Sequence, residues 1–163
     1  MIFVTVGTHE QAFNRLVEYM DEWAAEHEEE VIIQTGYSTY EPQQARWSKL
    51  YPYQKMVELV NQARIVITHG GPSSFIMPLQ VGKTPIVVPR LHRYDEHVND
   101  HQLKFSKEVE SRMGTIIVVE DVKKLGYVIE HYDDMKKEGK NTNNNTRFCE
   151  NLEEIIDQMF KRN

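Results

Sequence analysis

Two short segments combine glycines with hydroxyl and imidazole side chains where an apolar run ends. Gly7-Thr8-His9 follows Ile2 to Val6, and His69-Gly70-Gly71-Pro72-Ser73-Ser74 follows Ile65 to Thr68. Glycine lets a backbone approach a phosphate closely. Pro72 suits the first turn of a following helix. The free amides and positive end of such a helix attract an anion, and Ser73 and Ser74 add hydroxyl donors. Together these residues suit a diphosphate. A glycine after a strand is usually only a turn, so Gly7-Thr8 by itself says little. The second segment says more, because a histidine, two glycines and two serines meet at one turn.

A third cluster runs from Arg90 to Gln102 and holds Arg93, His92, Asp95, Glu96, His97 and His101. A polar helix is expected over about 95–109, with Asp95 placed to cap it. His97 and His101, spaced i, i+4, would share a face of that helix. Gln102 can donate and accept, which suits a sugar or ribose hydroxyl. Arg90 and Arg93 suit a phosphate or an acidic partner. The plainer reading is a solvated polar helix with incidental histidines.

Alternating elements must position these groups. Ile2 to Val6, Val31 to Ile33, Ala45 to Leu50, Ile65 to Thr68, Pro85 to Pro89 and Thr115 to Val119 read as six strands. Between them, Phe13, Leu16, Val17, Met20, Trp23 and Ala24 recur at helical spacing. Shorter helical patterns cover Met56 to Val60, the stretch from Pro72 to near Gly82, and Val122 to Tyr132. Pro78 removes an amide from the second of these, so a kinked or split helix is expected there. A polar loop, Gly139 to Asn145, precedes a last helix at about 146–162. Several strands are apolar on both faces, the pattern of a parallel sheet covered on both sides. The fold class is α/β, a doubly wound Rossmann-like parallel sheet, with 1–163 forming one domain. In such sheets ligands bind beyond the carboxyl ends of the strands where the order reverses. For the order 3-2-1-4-5-6 that crevice lies between the first and fourth strands, where both glycine segments begin.

The bulk numbers narrow the function classes. A chain of 163 residues can bury a real core without disulfides or metals. A formal net charge of −6 argues against nonspecific binding to nucleic acid. The single cysteine, Cys149, permits no internal disulfide and fits a reducing cytoplasm. The opening residues read as a strand and not a signal peptide. No apolar run is long enough to span a bilayer, so membrane attachment would have to come from another polypeptide.

The stretch from Ile65 to Arg90, then Glu96 to Phe105, resembles the C-terminal, donor-binding domain of family 28 glycosyltransferases. It is most similar to the small subunits of split bacterial enzymes of capsular and exopolysaccharide synthesis, and it also resembles the catalytic subunit of the transferase that adds the second GlcNAc to dolichol-linked chitobiose. Phe3-Val4-Thr5-Val6-Gly7-Thr8 fits the same family, and the likeness extends to about Val119. The resemblance implies a single GT-B C-terminal-type half-domain, a UDP-sugar donor, no metal cofactor, and inverting transfer to a lipid-linked saccharide. It also implies a membrane-associated partner subunit that supplies the acceptor site and the general base. Carried over by position, Gly7 and Thr8 lie by the diphosphate, and the adjoining His9 is a further binding candidate. His69, Gly70, Gly71, Ser73 and Ser74 line the nucleotide pocket, with Arg90 at the same sheet edge. His101 and Gln102 face the donor sugar. The sequence departs from the family at Met77, where a carboxylate often binds ribose; Gln80 or Glu96 would have to take that role.

Two other functions fit parts of the pattern. One is a non-catalytic subunit that binds the partner and the nucleotide. The other is a metal hydrolase using His69, His92, Asp95, His97, Asp100 and His101, whose side chains are suitable ligands. No His-Glu-x-x-His motif accompanies them; Glu96 precedes His97 instead.

Overall fold

In a computed structural model of the chain, residues 1–136 and 145–160 are described. Six parallel strands form one sheet: β1 (Ile2–Thr5), β2 (Val31–Gln34), β3 (Arg46–Ser48), β4 (Ile65–His69), β5 (Ile86–Val88) and β6 (Ile117–Val118). Their order is β3-β2-β1-β4-β5-β6. All pairings are parallel, with Thr5 opposite Gln34 on one side and Thr68 on the other. The order therefore reverses between β1 and β4, as in a doubly wound α/β fold.

Strand residues alternate between the two faces, and both faces are covered. Ile2, Val4, Ile33, Ile65, Ile67, Ile86 and Val88 share a core with α1 (Asn14–Glu26) and α5 (Leu125–Glu130). On the opposite face, Phe3, Ile32 and Val66 pack against Leu59 and Val60 of α2 (Tyr53–Gln62). Val87 joins Phe75 of α3 (Pro72–Gln80), Phe105 and Val109 of α4 (His101–Met113), and Leu152 and Ile155 of α7 (Asn145–Phe160). This is why the strands read as continuous apolar runs and not as alternating ones.

Loops owe their shape to buried polar groups. The Asp21 carboxylate accepts from the amides of Gln43, Gln44 and Ala45 and from the Tyr40 hydroxyl. Burial opposes its charge, but these four donors outweigh that and hold its pKa below the usual value. The connection from β2 to β3 is folded around this one side chain.

Several boundaries differ from expectation. The polar helix starts at His101, not Asp95. A short 3-10 turn occupies His92–Tyr94, and Asp95 closes it with a left-handed φ of 59°. Such a residue cannot begin a helix, so Asp95 does not cap the start of the polar helix, and His97 shares no helical face with His101. Pro78 neither splits nor ends its helix: α3 runs unbroken from Pro72 to Gln80, with the proline in its last turn. The stretch expected as one helix over 122–132 is a 3-10 turn at Val122–Lys124, then α5, then α6 (Tyr132–Met135). Most of the Asn-rich loop, and residues 161–162 of the expected last helix, lie outside the described residues.

Candidate functional site

The sheet topology brings the two glycine segments to the same edge, on either side of the His69 ring. A Cβ on Gly7 would stand 2.3 Å from His69 Nε2, and one on Gly71 would stand 2.3 Å from His69 Cε1. Gly7 also has a φ of +77°, a conformation that side chains disfavour. Gly71 has an ordinary φ of −73°, so the close approach of the imidazole is what requires glycine there. The Gly7 amide donates to Thr5 Oγ1 at 3.2 Å, which secures the turn at the end of β1.

His69 is only 8% exposed. The Gly71 amide donates to its Nδ1 at 3.0 Å, and Ser74 Oγ lies 2.6 Å from its Nε2. Burial, and then the nearby Arg90 charge, push its pKa down to about 3. The ring is therefore neutral at physiological pH. Gly71 is the N-cap of α3 and no side chain caps that helix. The half-buried Ser74 and the exposed Ser73 stand in its first turn.

Gln102 fastens the neighbouring strand ends. Its Oε1 accepts from the amides of Gly70 and Arg90, each at 3.1 Å, and its Nε2 lies 3.4 Å from His69 Nδ1. His101, one residue earlier, is exposed on the first turn of α4. Thr8 is also exposed, and His9 stacks on His97 with ring centres 4.8 Å apart. Burial, and then the neighbouring His9, hold His97 below the ordinary histidine pKa.

Arg90 is fully buried. It donates to the carbonyl oxygens of Val6 and Gln11 at 2.7 Å and of Glu96 at 3.1 Å, and it lies over the Phe13 ring. Its guanidinium thus ties the end of β1 to the loop after β5. Burial lowers its pKa to about 10, against the opposing pull of Glu96, so it stays charged at neutral pH. Arg93 is exposed beside Tyr94.

Sequence reasoning missed the pair beneath this loop. Arg15 grips Glu96 with Nε at 2.8 Å and Nη2 at 2.9 Å, and also donates to the carbonyls of Pro89 and Glu120. Glu96 further accepts from the Leu91 amide. Its carboxylate is thus occupied inside the protein and not open to a ribose. Met77 packs beside Phe3, Leu59 and Val66, and Gln80 is exposed at the end of α3. No local sequence pattern pairs Arg15 with Glu96, since they are brought together only by the fold. Among the described residues, no group of three or more His, Cys, Asp or Glu side chains is placed to hold a metal ion.

The fold is that of a GT-B C-terminal-type half-domain: a doubly wound parallel sheet with its glycine turns at the point where strand order reverses. Residues 1–159 match the glycosyltransferase family 28 C-terminal domain, and the chain belongs to that family. Among solved structures it is similar to the glycotransferase of kitacinnamycin, at 18% identity and a TM-score of 0.55, covering 84% of this chain and 38% of that one. It also matches the glycosyltransferase SnogD from Streptomyces nogalater, at 18% identity and a TM-score of 0.48, covering 74% and 31%. The chain thus spans little more than a third of the first of these proteins. No curated protein matches it. No helix among the described residues is long and apolar enough to cross a membrane.

Proposed function

We propose that this chain binds the UDP-sugar donor of an inverting glycosyltransferase that builds capsule or exopolysaccharide on a lipid-linked saccharide. The observation that carries the reading is the meeting of the Gly7 and Gly70-Gly71 turns around His69 at the sheet's switch point. Ligands of doubly wound sheets bind at that crevice. The uncapped start of α3 and the hydroxyls of Ser73 and Ser74 suit the charge that grows on the leaving diphosphate as the sugar departs. The helix dipole and these hydroxyls can meet part of the charge without a metal. The acceptor hydroxyl attacks the anomeric carbon from the face opposite the leaving UDP and passes its proton to a base beside the acceptor. That base, the acceptor site and the attachment to the cytoplasmic face of the membrane belong to a partner subunit in this reading.

Titration of the full chain with UDP tests the pocket. Gly71→Val should lower affinity by at least about tenfold, since its side chain must displace the His69 ring. The folded circular dichroism spectrum should persist. Equal affinity in the two proteins would count against the pocket. Coexpression with membrane-bound candidate partners, followed by labelled UDP-sugars on membranes, tests transfer. Full transfer with Gly71→Val in the complex would favour a non-catalytic role.

A further inference from the structure

Resting on the reading of this site as a diphosphate pocket, we propose that His69 acts through Ser74. As a neutral ring with its proton on Nε2 it donates to Ser74 Oγ, leaving the serine hydrogen free for the diphosphate. His69 is then a positioning residue, and Ser74 is the group that touches ligand.

The tautomer follows from the partners of Nδ1. An amide N–H can donate only to an unprotonated ring nitrogen, and the Gly71 amide lies 3.0 Å from Nδ1. The other group near Nδ1 is the Gln102 amide nitrogen at 3.4 Å, which is also a donor. The ring proton therefore sits on Nε2, 2.6 Å from Ser74 Oγ. Because the serine oxygen accepts there, its own hydrogen must point elsewhere, and none of the hydrogen bonds among the described residues takes it up. Gly7 and Gly71 flank the ring closely enough that neither could carry a Cβ without moving it.

Protonation does not compete with this arrangement. Burial, and then the Arg90 charge, hold the ring neutral down to about pH 3. A neutral ring whose Nδ1 is already occupied by Gly71 cannot take the proton of an attacking hydroxyl. His69 is thus excluded as the general base, and its contribution is to aim one hydroxyl.

A double-mutant cycle on the full chain, with UDP as the probe, separates this role from direct contact. Ser74→Ala should weaken UDP binding about tenfold, the scale of one hydrogen bond to a charged group. His69→Asn keeps an acceptor for the Gly71 amide but cannot reach Ser74, and should lose a similar factor. The double variant should bind no more weakly than Ser74→Ala alone. His69→Gln, whose amide nitrogen can take the place of Nε2, should recover most of the loss. Losses that multiply to about a hundredfold in the double variant, or a Ser74→Ala protein with unchanged affinity, would overturn the proposal. Nitrogen-15 NMR of the unmutated chain gives a readout independent of how the variants fold. It should show a pyridine-type Nδ1 and a pyrrole-type Nε2 that do not change from pH 4 to 8. A proton on Nδ1, or titration near the ordinary histidine value, would refute it. An unmutated chain with this tautomer that binds no UDP would instead sink the pocket reading and, with it, the role given to Ser74.

Discussion

At the scale of single residues, the glycines and His69 were legible because each stands directly after an apolar run, where a strand must end. What His69 does was not legible. Its charge depends first on burial and then on Arg90, twenty-one positions later in the chain, and its tautomer on where the Gly71 amide points; none of these is a local pattern. The same burial predicts an acid-sensitive fold. The unfolded imidazole titrates near 6.5 and the folded one at about 3, so the unfolded state takes up a proton that the native state refuses. This part of the stability is complete above pH 6.5 and is lost as pH falls toward 3, by about 1.4 kcal/mol per pH unit at its steepest. Urea unfolding at pH 6.5 and 4.5 should therefore cost the native protein about 2 kcal/mol more than it costs His69→Asn. Parallel losses in the two proteins would mean that the ring is charged when folded.

At the scale of elements, strands were read more accurately than the connections after β5. A strand buried on both faces announces itself by composition, as Ile65-Val66-Ile67 and Ile86-Val87-Val88 do. The stretch from Arg90 to Asp100 carries helix-compatible residues, but its shape is set by Arg90, Glu96 and Arg15, which are far apart in sequence. Arg90 was expected to suit a phosphate and is instead enclosed, with three backbone carbonyls as partners. Replacing it should thus act on stability first. Arg90→Met takes its donors from those three carbonyls and leaves Arg15 alone to balance Glu96, and should cost about 3–5 kcal/mol in chemical denaturation. Arg90→Lys should recover only part of this, because an ammonium cannot span three carbonyls as the planar guanidinium does. A Met variant as stable as the native chain would show that this side chain is not what fixes the loop.

At the scale of the whole molecule, the strand order matters more than any single contact. Because β1 and β4 are adjacent and their connections leave in opposite directions, the turns after them open a crevice that no other pair of strands in this sheet offers. Alternation of strands and helices made that order readable from the sequence. The crevice joins two halves of one sheet, so a ligand held there must contact both. Binding only to the native state stabilises it by about 2.7 kcal/mol at a hundred times the dissociation constant. The part of this that appears as local protection should be confined to the crevice. With saturating UDP, amide hydrogen exchange should slow together at Gly7 to His9 and at Gly71 to Ser74, while Arg46 to Ser48 on the edge strand β3 should change little. Slowing at only one of the two turns would place the nucleotide on a single half of the sheet, and the switch point would no longer account for its binding.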